Sequence, residues 1–422
     1  MKTGGRRHPF YGYYLVAATF VFMLLCIGCG SYAFSLFVRP LEAAFGWGRG
    51  QVMLGFTTFF VVMGITSPIV GRLVDRYGAR TVIPVGAVVM GAGFVVVSQM
   101  SQLYLFYLGY MLIGAGASGI GQVPSSAIIS NWFKRRRGMA IGFMSAGIGA
   151  GGFVMAPIVG YVITAFGWRA AYLTMALIIW AVTIPLAIWV VRTKPSEMGL
   201  YPDGVSAPLE DTARTSGRID VPSFTLKQAM ATPTFWLIAV SFLLGCFSNM
   251  GLTQAPVPFF EDTGYSTQVA AAALGAMGIA SAVGKVFFGW LCDRMQPKYA
   301  WAIGQTLQAG AALVLLNITP GSSTLLVWLW AALLGFGVGA WLPTLSMLGS
   351  TNFGLLAYGA IFGALNLAQS AGAATGPYFA GLVYDATGTY HWVFVTFALL
   401  YVAAIPAVLL TKRPSQHATP GV

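Results

Sequence analysis

Lys285 is the residue on which the chemistry of this sequence turns, because it is the one ionisable side chain other than Tyr or Cys set well inside a long apolar run. A charged side chain at the centre of a bilayer costs about 2.5–3.5 kcal/mol on insertion scales, so it needs a reason to be there. Binding an anion is one reason. Snorkelling is the other: Lys285 precedes Asp293 by eight residues, about 12 Å of helix, and its stem could carry the ammonium toward the nearer surface. No acid lies deep in any apolar run. Glu261 and Asp262, at the outer end of the seventh run, are the nearest. Asp262 could approach Lys285 only if the helix is broken near Pro256 and Pro258. It is then either a solvated loop acid or a proton acceptor, with Lys285 sharing the task.

Neutral polar side chains inside the runs form a second tier. Tyr32, Gln122, Ser125, Ser145, Asn249, Asn366 and Gln369 can each hydrogen-bond a hydroxyl or a carboxylate. Each could as well bond one helix to another. Phe336 and Trp341 suit shaping or gating a cavity, or plain packing. Cys26 and Cys29 form a C-x-x-C with no His or further Cys in the same run, which fits small packing residues better than a redox or metal pair. There is no nucleotide-binding P-loop, no zinc-type histidine cluster and no Ser-His-Asp set, and His8, His391 and His417 lie near run ends or in tails. These absences argue against an enzyme or an ATP-driven pump. No cofactor and no metal are expected.

The elements that must position Lys285 are membrane helices. Of 422 residues 57% are hydrophobic and 8% charged, against roughly 25% charged in an ordinary soluble domain. Apolar runs long enough to cross a bilayer as a helix fall at 11–38, 52–71, 82–100, 103–131, 138–166, 170–191, 234–260, 267–291, 300–318, 322–350, 358–384 and 391–411. The fold class is therefore an all-α membrane protein with twelve transmembrane helices. The first run is too long for the apolar core of a signal peptide and should stay as a span. The net charge of +12 is distributed by side: with the N-terminus inside, only Arg39, Arg49 and Arg169 among the 23 Lys and Arg fall outside, and Lys285 lies within a span. That asymmetry puts both termini in the cytoplasm and explains the basic balance without nucleic acid.

Residues 192–232 are the one long polar connection, dividing six runs in 1–191 from six in 233–422. The two sets echo each other. Gly71-Arg72-Leu73-Val74-Asp75-Arg76, continuing to Arg80, returns 218 residues on as Gly289-Trp290-Leu291-Cys292-Asp293-Arg294. Pro124 is answered by Pro343, and Pro157 by Pro377. The glycine lets two helices approach closely, while the aspartate and arginine can join a charge network or meet helix ends, and so lock one conformation.

The repeated G-x-L-x-D-R frame resembles the signature of the major facilitator superfamily. That likeness implies two pseudo-symmetric six-helix bundles, a substrate site between them near mid-membrane, and rocking between outward-open and inward-open states. The fifth run opens Trp132-Phe133-Lys134-Arg135-Arg136-Arg137-Gly138-Met139-Ala140-Ile141-Gly142, followed by Ala146-Gly147 and Gly151. It is similar to the matching span of the monocarboxylate transporter family. Monocarboxylate and oxalate/formate transporters carry an arginine where Lys285 stands, four residues before the glycine that is here Gly289, whereas lysine offers a point charge in place of a bidentate fork. Oxalate-type exchangers have a second intramembrane cation at the place of Asn366. One fixed charge suits one carboxylate better than two.

These readings predict a secondary carrier of a small monocarboxylate such as lactate or pyruvate, moved with a proton. Organic anion exchange and drug or metabolite export are the alternatives. The short loops favour a bacterial inner membrane, and a monomer is expected to suffice. The substrate residues would be Lys285, Tyr32, Gln122, Ser125, Ser145, Asn249, Phe336, Asn366 and Gln369, and the gating residues Gly71, Asp75, Arg76, Arg80, Gly289, Asp293 and Arg294.

Overall fold

The computed structural model describes residues 10–204, 224–254, 259–260 and 263–414. Asp262, with Glu261, Pro256 and Pro258, lies outside the described residues, as does the middle of the linker. The described residues are helical throughout, apart from turns and loops. Before the linker come α1 (Gly12–Ile27), α2 (Phe34–Phe45), α3 (Arg49–Tyr77), α4 (Ala79–Ser98), α5 (Leu103–Ile120), α6 (Gln122–Trp132), α7 (Arg137–Ile178) and α8 (Ile184–Trp189). The short α9 (Leu226–Met230) ends the linker. After it come α10 (Pro233–Gln254), α11 (Thr267–Cys292), α12 (Pro297–Leu316), α13 (Thr324–Val338), α14 (Trp341–Phe353), α15 (Tyr358–Thr387) and α16 (His391–Leu409).

Among the described residues ten helical stretches are long and apolar enough to cross a membrane. One of them, Arg137–Trp189, is broken inside α7 at Gly167, whose φ of 83° no helix contains and few side chains tolerate. The 30-residue α15 is a further long helix, diluted in hydropathy by Asn366, Gln369 and its small residues. Large apolar side chains face outward along these helices. Phe153 is 85% and Ile279 70% exposed, which is stable only against lipid. The chain is an integral, multi-pass membrane protein.

Two local departures from the α-helix bear on the site. A π-helical turn at Gly28–Tyr32 joins α1 to α2, and such turns concentrate at functional positions because they re-aim side chains. Gly121, with φ −79° and ψ −131°, separates α5 from α6 just before Gln122. The helices before and after the linker meet along two seams, α3 against α15 and α7 against α11.

Candidate functional site

Each seam is built on glycine. A Cβ on Gly71 would overlap the Gly359 carbonyl, and one on Gly363 the Ser67 carbonyl. The second seam repeats the pattern: Gly138 sits on the Gly289 carbonyl, and a Cβ on Gly142 would lie 2.5 Å from the Lys285 carbonyl. Backbones this close exclude larger side chains and bring polar groups of opposite halves into reach.

At the basic end of the seams the repeated aspartates do matching work. Asp75 Oδ1 and Oδ2 accept the N–H groups of Gly359 (2.8 Å) and Ala360 (2.9 Å) at the start of α15. Asp293 Oδ1 and Oδ2 accept those of Gly138 (2.6 Å) and Met139 (2.8 Å) at the start of α7. Each carboxylate thus satisfies two orphan donors of a helix N-terminus belonging to the other half, where the helix dipole favours negative charge. Burial pushes the Asp293 carboxyl above the usual carboxylate range, while the two N–H donors and the Arg137 guanidinium pull it down. The expected arginines stand beside these contacts. Arg76 lies over the Tyr77 ring (5.2 Å), Arg294 over the Trp290 ring (4.4 Å), and Arg80 Nε donates to the Ile188 carbonyl (3.2 Å). Tyr358, which opens α15, is hydroxyl-to-hydroxyl with Ser346 of α14. Sequence reasoning did not find Tyr358, since nothing local marks a buried phenol as part of a helix-end cluster.

One level deeper, about 12 Å along the helix, the seams carry different chemistry. At the α3–α15 seam Asn366 Nδ2 donates to Ser67 Oγ (3.0 Å), and both residues are buried. At the α7–α11 seam the corresponding pair is Ser145 and Lys285. Ser145 is fully buried and donates to the Gly142 carbonyl of its own helix (2.9 Å). Lys285 is only 7% exposed. Among the described residues no carboxylate pairs with it and no acceptor is hydrogen-bonded to it. A cation buried without a counter-charge leaves a demand for a partner unmet, because buried charges are stable only when paired.

The remaining expected residues are dispersed. Tyr32 is 45% exposed in the π turn, its ring 3.1 Å from where a Cβ on Gly152 would stand. Gln122 and Gln369 each keep a buried side-chain oxygen with no partner, a feature that marks groups open to a ligand or a water. Ser125 is fully buried and reaches the Ile120 carbonyl only at 3.5 Å, at the limit of a hydrogen bond. Asn249 donates to Gln308 Oε1 (3.2 Å), a bond between α10 and α12 away from the seams. Phe336 packs on Phe287 and Phe288 with its carbonyl under Gly284.

A profile of the Major Facilitator Superfamily matches residues 20–377. The chain belongs to the Major Facilitator Superfamily. Like its relatives in that superfamily it is a transporter and not an enzyme. It is similar to the oxalate:formate antiporter of Oxalobacter formigenes, 25% identical over 67% of this chain and 63% of that protein. It is also similar to monocarboxylate transporter 13 of Rattus norvegicus, 26% identical over 95% of this chain and 89% of that one. The fold is shared with the crystal structure of the E. coli fucose:proton symporter FucP, with a TM-score of 0.71 at 12% identity, covering 96% of this chain and all of that one. In this facilitator, then, the glycine seams and the two aspartate grips join helices of opposite halves, and Lys285 lies between them and the opposite face.

Proposed function

We propose that the protein is a secondary active transporter of a small organic monocarboxylate, lactate-like or pyruvate-like, carried with a proton by alternating access. Twelve crossings are counted by dividing Arg137–Trp189 at Gly167 and adding α15. They fall into bundles 1–191 and 233–422 with both termini cytoplasmic, in a bacterial inner membrane. The aspartate grips then hold the cytoplasmic face closed.

The observation that carries this reading is Lys285, a buried ammonium at the inter-half seam with no carboxylate beside it among the described residues. A substrate carboxylate would supply the missing partner, in a charge-assisted hydrogen bond. The matching position, Ser67, is neutral and bonded to neutral Asn366, so the site presents one fixed charge and suits one carboxylate. The unpartnered oxygens of Gln122 and Gln369 would accept from a hydroxyl or from the substrate's own proton.

Uptake of labelled lactate into proteoliposomes, with and without an inward proton gradient, tests the reading. Accumulation should require the gradient and vanish in Lys285→Gln. Exchange of organic anions, as in the oxalate:formate antiporter, is favoured by one observation: no acid lies deep in a described apolar helix to take the proton. Counterflow separates the two, since exchange demands substrate on both sides and ignores the gradient.

A further inference from the structure

The beginning of the linker is folded onto the helices that precede it. Trp132 Nε1 donates to the Arg192 carbonyl (2.8 Å), Asn131 Nδ2 to the Thr193 carbonyl (3.2 Å), and the Ala79 N–H to Thr193 Oγ1 (3.0 Å). Glu197 closes the next turn by accepting the N–H groups of Lys194 (2.9 Å) and Thr193 (3.3 Å). The strap ends at Pro202–Gly204. Asp203 there has φ 61°, alone among the described non-glycine residues in being left-handed. Aspartate tolerates that region better than most residues, yet it is still disfavoured there and must be offset locally.

The offset is visible. Asp203 Oδ1 and Oδ2 accept the N–H groups of Lys134 (3.0 Å) and Arg135 (3.1 Å). These two residues belong to the non-helical loop between α6 and α7, where Lys134, Arg135 and Arg136 follow one another, with Arg137 opening α7, and repel. The next donors along the chain, Gly138 and Met139, are those that Asp293 grips from the other half. Residues 134–139 are thus held by two carboxylates, one from the linker and one across the seam. Among the described residues, the matching stretch before α15 has only the second kind of hold. Asp75 grips Gly359 and Ala360, and the far end of the linker offers a single backbone bond, Phe224 N–H to the Phe353 carbonyl (3.0 Å).

We propose that Asp203 is a positioning residue of the basic-face gate. It fixes the cationic loop so that the first N–H groups of α7 are presented to Asp293, which makes the start of the linker part of the gate on the α7–α11 side. Without it the Lys134 and Arg135 N–H groups turn to water, the loop samples many shapes, and the α7–α11 grip loses its prearranged donors. The proposal rests on the reading of the basic face as a gate that opens and closes. It does not depend on the substrate.

The test is the distance distribution between spin labels at Tyr77→Cys and Met295→Cys, exposed positions on the basic face of opposite halves. The four native cysteines are buried. Asp203→Ala should raise the separated population at least threefold, toward that of Asp293→Asn, while the thermal midpoint changes little. Asp203→Glu should return the population most of the way to the parent. Asp203→Asn, which keeps the left-handed turn and one acceptor, should fall between, and it carries the test if the alanine variant does not fold. A parent-like distribution in the Asp203 variants beside a shifted Asp293→Asn would overturn the role of Asp203 and leave the gate standing. No shift in Asp293→Asn either would remove the gate reading itself.

Discussion

In Lys285 burial coincides with the lack of a partner among the described residues, and the proposed carboxylate would supply that partner. A hydrogen bond between an ion and its partner contributes about 1.5–3 kcal/mol, or roughly 10–150-fold in affinity. Lys285→Gln should therefore abolish the thermal stabilisation of the purified protein by lactate. Lys285→Arg should retain it with altered selectivity, because the guanidinium fork binds carboxylates bidentately. Stabilisation surviving in the glutamine variant would assign Lys285 to snorkelling. The neutral partner seam gives a second prediction. Asn366→Lys breaks the bond to Ser67 and places a second cation opposite the first. It should bring measurable stabilisation by oxalate, a dicarboxylate, where the parent shows none.

At the scale of the element, the seams depend on glycine more than on any side-chain bond. Gly71 and Gly138 each face a carbonyl of the other half with no room for a Cβ. Gly71→Val and Gly138→Val should hold the basic face apart, since neither backbone can retreat without breaking a helix. The readout is a Ser145→Cys probe, buried in the closed form, whose modification by a charged thiol reagent applied from the basic side should accelerate about tenfold or more. Gly275, where a Cβ would meet open space, is the control. Its valine variant should label at the parent rate.

For the whole molecule, the proposed gate makes the two aspartate grips separate supports of one closed state. Losing the ionic acceptor at either should cost about 1.5–3 kcal/mol of closure. The sites share no partner, so Asp75→Asn and Asp293→Asn should add, and the double variant should shift the open-to-closed ratio by close to the product of the single shifts. Single-molecule distances across the basic face measure this directly. A double variant no more open than either single one would mean that the grips act as one unit.

Much of this was legible in the chain itself. Few charges and long apolar runs left the backbone no way to satisfy its polar groups except as membrane helices. The recurrence of Gly71 and Asp75 at Gly289 and Asp293 announced two related halves and the superfamily, because a repeat survives as spacing. Lys285 stood out because an isolated charge in an apolar run is visible from composition alone. What partners these residues have was not legible, since the donors that Asp75 and Asp293 accept are backbone N–H groups, which every residue but proline carries and no sequence pattern distinguishes. Asp203 was hidden for the same reason, inside a turn-forming Pro-Asp-Gly. The asymmetry that matters most is also tertiary. Only the packing of α3 on α15 and α7 on α11 shows that Ser67 is answered across its seam by Asn366 while Lys285 is answered by no described residue. A helix's sequence fixes what it carries, but the crossing of two helices decides what each charge must live beside.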